Sequence, residues 1–142
     1  MEILEQEIAK IEESIDQYDE ADTLVIYDSI NAITNAGYKS EAVEPLLQLF
    51  ERHPMTYFGD PGEIVRFIEQ FSGEYENSLA TSVKRTPSST TVWMLNRCMN
   101  AGEHTEEFMG ILKEIASRED VDKVIKESAQ EFADFQANKK SD

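Results

Sequence analysis

The sequence of 142 residues lacks features that several large classes of protein require. It has one cysteine, Cys98, so no disulfide can form within the chain, and a lone thiol fits a reducing compartment. No apolar run approaches the ~20 residues that a membrane-spanning helix needs. The first residues are acidic and do not resemble a secretory signal. We therefore expect a cytoplasmic protein with no membrane partner.

Positive charge is also scarce. Thirteen Lys and Arg residues face 29 Asp and Glu residues, which gives a formal net charge of −16. Proteins that bind nucleic acids or anionic membranes carry excess positive charge to neutralise phosphate, so we expect neither partner. One basic segment, residues 83–101, holds Lys84, Arg85 and Arg97 and no acid. The acidic balance indicates either a solvated surface or an electrostatic surface for a basic protein partner.

Apolar residues recur along the chain at spacings of three and four, which is the periodicity of amphipathic helices. In the first predicted helix, residues 2–19, they form one stripe: Leu4, Ile8, Ile11, Ile15 and Tyr18. No segment shows the sustained alternation of a half-buried strand. The sequence predicts an all-α fold of about eight antiparallel helices, either a HEAT-like stack of helical hairpins or a compact irregular bundle. Residues 1–137 are assigned to a single helical domain, and residues 138–142 to a frayed tail.

Helix boundaries follow from capping residues and helix breakers. Asp22 is predicted to cap the second helix, and Thr105 is predicted to cap the seventh. At the fourth helix, Asp60 precedes Pro61 and Glu63 in the order of a capping box with proline at the first helical position. We therefore expect the fourth helix to begin at this segment.

Side chains that perform catalysis are few. The two histidines, His53 and His104, lack the spacing of metal ligands, and Cys98 is expected to be a buried apolar residue. The sequence has no glycine-rich phosphate loop and no hydrolase or metalloprotease motif. We therefore predict no catalytic residue, no metal site and no cofactor.

The basic segment allows two interpretations. Arg85 and Arg97, together with helix N-terminal amides, could hold a phosphate or a carboxylate. The simpler interpretation is structural: the hydroxyls of residues 88–91 cap a helix, Trp93 packs in the core, and the arginines pair with acids elsewhere in the chain.

Two stretches, Phe58 to Glu69 and Tyr75 to Arg97, resemble a family of small helical immunity proteins from bacterial polymorphic-toxin and contact-dependent growth inhibition systems. The resemblance covers roughly residues 40–117. It implies a non-enzymatic inhibitor that binds a cognate toxin domain, the C-terminal part of a large exported protein, and covers its active site or substrate cleft. It also implies that the shared motif residues maintain the fold. These are Asp60, Pro61, Gly62, Arg85, Trp93, Asn96 and Arg97.

A toxin that attacks nucleic acid has a basic cleft, and carboxylates can occupy it where phosphates would lie. We therefore expect acids on exposed helix faces to contact the toxin. Charge density alone selects the candidates: Glu12, Asp16, Asp19, Glu20, Glu63, Glu69, Glu74 and Glu76.

Two other functions stay open. A helical-repeat adaptor could bind a cellular peptide or protein in a concave groove, with Arg66, Arg85, Trp93 and Arg97 as its lining. An enzyme built around the two arginines of the basic segment is the third possibility. The chain is expected to be a monomer or a weak dimer.

Overall fold

The computed structural model describes residues 2–140, and this part of the chain is all-helical, as predicted. A 3-10 turn, Ser40–Ala42, precedes the third helix, and a single parallel β-bridge joins Glu20 to Tyr57. Within the described residues there is no strand, and no helix is long and apolar enough to cross a membrane. The helices are α1 Ile3–Glu13, α2 Thr23–Asn35, α3 Val43–Arg52, α4 Gly62–Glu69, α5 Glu76–Arg85, α6 Ser89–Asn100, α7 Thr105–Ser117 and α8 Lys123–Lys140.

The helices contact one another in the order expected of stacked hairpins. Consecutive helices pack in the pairs α1 with α2, α5 with α6, and α7 with α8. The odd-numbered helices also contact in sequence, α1 with α3, α3 with α5, and α5 with α7, while α2 contacts α4 and α6 contacts α8. This order favours the hairpin stack over the irregular bundle. Of the predicted tail, residues 138–140 belong to α8, and residues 141–142 lie outside the described residues.

A continuous apolar core runs through the stack and extends beneath the connection between α3 and α4. Phe50 of α3 is fully buried and packs edge-on against Phe58 of that connection, with ring centroids 5.2 Å apart. Aromatic pairs of this kind stabilise by about 0.5–1.5 kcal/mol beyond the area they bury. The α3–α4 connection, residues 53–61, is therefore anchored to the core although it is irregular.

The first helix is shorter than predicted, because α1 ends at Glu13 and the chain turns before α2. The Asp16 carboxylate accepts backbone N–H groups from Tyr18 at 2.8 Å and Glu20 at 3.1 Å. A short acidic side chain that satisfies the backbone in this way competes with helix formation. Tyr18, which was expected in the buried stripe, is 74% exposed.

The predicted capping box at α4 is wrong. The N-cap is Pro61, and the Asp60 side chain makes no capping hydrogen bond. The backbone instead forms a tight turn in which Gly59 and Gly62 have φ of 118° and 80°. A Cβ on Gly59 would lie 2.6 Å from the Gly62 Cα, so the close approach requires glycine and leaves Asp60 outside the helix start.

Two other predicted caps have different outcomes. The Asp22 carboxylate accepts the backbone N–H groups of Leu24 and Val25 at 2.9 and 3.2 Å, which confirms the cap of α2. Thr105 is the first residue of α7 rather than its cap, since His104 occupies the N-cap position with φ 53°. With His104 in a left-handed turn as the N-cap, α7 begins one residue earlier than predicted.

Candidate protein-interaction surface

The basic segment offers no unpaired arginine. Arg85 donates to Glu51 and Glu44 at distances of 2.6–2.8 Å, and Arg97 makes two parallel hydrogen bonds to Glu69 at 2.7 and 2.8 Å. Each bond joins residues from different helices. The hydrogen bonds from Arg85 hold the pKa of Glu51 below its usual value, despite the opposing effect of burial. The two arginines therefore hold the fold together, and an anion would have to displace a carboxylate to reach them.

The other three arginines of the chain also pair with acids, although not all of these pairs join different elements. Arg52 makes two hydrogen bonds to Glu12 at 2.8 and 3.0 Å, and Arg118 makes two to Asp120 at 2.8 and 2.9 Å. Arg66 lies 3.3 Å from Glu63. The positive charge that is best suited to carboxylate and phosphate recognition is thus already neutralised inside the chain.

The other two motif residues on α6 also contact their own chain. Trp93 is half-buried, and the Arg97 guanidinium lies 5.2 Å from its ring centroid, a cation–π distance. The Asn96 side-chain oxygen accepts a hydrogen bond of 2.7 Å from Gln136 of α8, in the buried interior. The Gln136 hydrogen bond connects α6 to α8, and Trp93 lies against Arg97, whose pair with Glu69 connects α6 to α4.

A polar cavity of about 390 Å³ lies beside the single thiol. Cys98 is buried, and its sulfur lies 3.2 Å from the Tyr75 hydroxyl. Burial raises the pKa of the Cys98 thiol to about 11, so it is protonated at neutral pH. Burial also raises the pKa of the Tyr75 hydroxyl above its usual value. A protonated thiol is a poor nucleophile, and this pair has the properties of a packed core contact.

Three of the eight predicted partner-binding acids form hydrogen bonds or ion pairs with other residues of this chain. Glu76 is buried, only 4% exposed, and its carboxylate accepts the Gly73 backbone N–H at 2.8 and 3.0 Å. Glu69 is half-buried in its pair with Arg97. Glu12 is also half-buried, and it accepts from His53 as well as Arg52. These three acids therefore do not lie free on exposed helix faces: Glu12 and Glu69 pair with arginines of other helices, and Glu76 accepts from the turn just before α5.

The other five candidates are at or near the surface. Asp16, Asp19 and Glu20 are exposed, although they lie on the α1–α2 turn rather than on a helix. The Asp19 carboxylate accepts the Thr56 hydroxyl, and Glu63 faces Arg66 near the start of α4. Glu74 is exposed in the turn before α5, and its role, like those of the other four, stays a prediction.

Exposed apolar side chains concentrate beside the α1–α2 turn. Among the described residues, five of the eight large apolar side chains with high exposure come from this turn, the start of α2 and the α3–α4 connection, and we call them the aromatic patch: Tyr18, Leu24, Tyr27, Met55 and Tyr57. Tyr18 and Leu24 are each 74% exposed. Groups of exposed apolar residues of this kind are typical of protein-binding surfaces.

Backbone hydrogen bonds join the segments that carry the patch. The Tyr57 N–H donates to the Asp19 carbonyl at 2.9 Å, and the Ala21 N–H donates to the Tyr57 carbonyl at 3.0 Å. On the other side, the Ser89 N–H at the start of α6 donates to the Pro54 carbonyl at 2.8 Å. The α3–α4 connection is therefore fixed to both its neighbours, and the patch rests on an ordered scaffold.

Three adjoining grooves cross this surface. The first is lined in part by Leu24 and Tyr57, the second by Leu24 and Tyr27, and the third by Met55 and Tyr57 together with Trp93. No Lys or Arg is among the described residues that line them. Their acids, which we call the acidic rim, are Asp16, Glu20, Asp22, Asp60 and Glu63.

Sequence reasoning identified part of the rim and missed the patch. The predicted apolar stripe of the first helix includes Tyr18, which is exposed in the structure. The available signal at Tyr18 was its position between Asp16 and Glu20, since a tyrosine flanked by charges rarely enters a core. Tyr57 carried no local signal, because its place beside the α1–α2 turn results from long-range pairing.

Within residues 2–140, no cluster of three or more Asp, Glu, His or Cys side chains is arranged so that it could hold a metal ion. Comparisons with family models, with curated proteins and with solved structures found no match to this chain.

Proposed function

We propose that this protein is an immunity protein that binds and neutralises a basic toxin domain. The observation that carries the proposal is the pairing of all five arginines with the chain's own acids, while most of the other described carboxylates are exposed to solvent. The partner's charge follows from this surface, whereas its class follows from the family resemblance over residues 40–117.

This chain would neutralise the toxin by occupying the cleft in which the toxin binds its substrate. Exposed carboxylates enter a cleft that normally attracts phosphate, and complementary fields accelerate encounter to as much as ~10⁸–10⁹ M⁻¹s⁻¹ at low salt. Speed matters because an incoming toxin must be bound before it acts. The protonated Cys98 thiol and the paired arginines also favour an inhibitor over an enzyme.

Affinity capture tests this proposal. A tagged chain is produced in its native strain and washed at moderate salt, and the proteins that remain are identified and quantified. We expect one stoichiometric basic partner that matches the C-terminal domain of a large exported protein. Several cellular proteins that share a short motif would indicate the adaptor instead. No partner, in cells shown to make the exported protein, would refute the immunity function.

A further inference from the structure

We propose that the aromatic patch and its acidic rim form the toxin-binding surface, and that the patch contacts arginine or lysine side chains interleaved with aliphatic ones on the partner. This inference rests on the immunity function, because it names the surface and the partner chemistry of that interaction. The sequence alone predicts that carboxylates make the main contacts with the toxin, whereas here tyrosine and leucine side chains contribute most of the binding free energy.

The composition of the patch matches the centre of a protein interface. Tyrosine is enriched among residues that dominate binding energy, since it buries a large area and loses little conformational freedom. Tyr18, Leu24 and Tyr57 are each about half exposed or more, at 74%, 74% and 48%. A partner that covers them would gain apolar burial without a rearrangement of the anchored α3–α4 connection.

Charge selects the partner. All three grooves are lined by acids and by no Lys or Arg among the described residues, so their field attracts cationic side chains. Arginine suits both parts of the surface, because its guanidinium stacks on aromatic rings and pairs with carboxylates. The chain already uses this combination once, where Arg97 lies over Trp93 and makes two hydrogen bonds to Glu69.

A second copy of the chain does not fit this surface as well. A symmetric dimer through the patch would bring the acidic rim of one copy, Asp16, Glu20, Asp22, Asp60 and Glu63, against the same acids of the other. Like charges in apposition oppose association and are a common means of rejecting wrong partners. The surface is therefore assigned to a basic partner, and self-association becomes an outcome of the test.

Substitutions in the aromatic patch and in the acidic rim should change different rate constants of binding. Truncation of a central apolar contact mainly raises the dissociation rate, whereas loss of a rim charge mainly lowers the association rate and its salt dependence. Tyr18→Ala and Tyr57→Ala probe the first part, and Glu20→Gln probes the second. Phe135→Ala is the matched control, because Phe135 is 52% exposed on α8.

Binding kinetics are measured with the purified toxin domain that the wild-type chain captures. We expect each tyrosine variant to raise Kd at least about tenfold, mainly through faster dissociation. Glu20→Gln should slow association, and Phe135→Ala should leave both rate constants unchanged. Circular dichroism and thermal melting of each variant confirm that it folds. Wild-type affinity in both tyrosine variants, or a loss of affinity in Phe135→Ala alone, would overturn the proposed surface while the immunity function stands.

A second measurement does not depend on the toxin's identity. A photo-crosslinking amino acid replaces Tyr57 or, as the control, Phe135, and the full chain is irradiated in the producing cells. We expect an adduct only from position 57, joined to an arginine- or lysine-rich segment of one identified protein. An adduct only at position 135, an adduct with a second copy of this chain, or none at position 57 would contradict the inference. A cellular protein in place of a toxin domain would refute the immunity function alone.

Discussion

At the residue scale, the carboxylates of this chain divide into those that bind their own chain and those that face solvent. Glu76 shows the first kind most clearly, since it is buried and two backbone or hydroxyl donors, from Gly73 and Ser72, lie within hydrogen-bonding distance of its carboxylate. Burial alone would raise the pKa of Glu76, but hydrogen bonds to its carboxylate, the Gly73 N–H foremost, outweigh burial and hold the pKa below its usual value. Glu76 is therefore a stabilising group rather than a binding one.

Replacement of this carboxylate should cost stability. We expect Glu76→Gln to lower the free energy of unfolding by about 1–3 kcal/mol at pH 7, because the Gly73 N–H loses a charged acceptor. Urea denaturation measures the change, and Glu74→Gln, at an exposed position two residues away, is the control that should have almost no effect.

The same pair of variants gives a pH dependence. A carboxyl group with a lowered pKa in the folded state contributes stability that is present above its unfolded pKa, about 4.3, and is lost as the pH falls through the folded value. The gap between wild type and Glu76→Gln should therefore shrink as the pH falls below about 4.3. A gap that is constant from neutral pH to pH 3 would contradict the assignment.

The sign of the charge and the pairing of the arginines could be predicted from composition, but the identity of the engaged acids could not. Arg97 and Glu69 are 28 residues apart, and Arg85 and Glu44 are 41 apart. Local periodicity contains no information about contacts at such separations. An acid on a predicted helix face can therefore equally face solvent or pair with a distant residue of the chain.

At the scale of elements, helix starts depend on which side chain satisfies the first backbone amides. The clearest case is α6, where the Ser88 hydroxyl accepts the Thr91 N–H at 3.0 Å and the Thr91 hydroxyl accepts the Ser88 N–H at 3.2 Å. Both residues are buried, so water cannot replace these bonds. This cap also fixes the end of α6 that lines one of the three grooves through Ser89 and Trp93.

We expect Ser88→Ala to lower the free energy of unfolding by about 0.5–2 kcal/mol, the usual cost of a lost N-cap. Thr105→Ala is the control, because Thr105 is the first residue of α7 and not its cap. This variant should change the free energy of unfolding by only about a few tenths of a kcal/mol. Thermal melting compares the two. Equal losses in both variants would mean that the capping geometry does not control these helix starts.

Elements whose ends are set locally were predicted well. The cap at Asp22 follows from the residue's own side chain and the two amides just after it. The predicted helix ends that are wrong are those where a different local contact determines the backbone conformation. Asp16 closes a turn that shortens α1, and the approach of Gly59 to Gly62 displaces Asp60 from the start of α4.

At the scale of the whole molecule, the stack of hairpins brings together three irregular segments that are distant in sequence. The α1–α2 turn, the α3–α4 connection and the start of α6 meet through the Glu20–Tyr57 bridge and the Ser89–Pro54 hydrogen bond. The all-α class and the acidic surface were predictable because they depend on periodicity and composition. The aromatic patch was not, since it exists only where these segments meet.

The central claim is that this chain neutralises a basic toxin domain by binding it, and cell growth tests this most directly. The captured domain is expressed from an inducible promoter in cells that lack this chain, with or without the wild-type chain supplied in trans. We predict arrest without the chain and full growth with it. Continued arrest, with both proteins shown by immunoblot to be present and folded, would contradict the account.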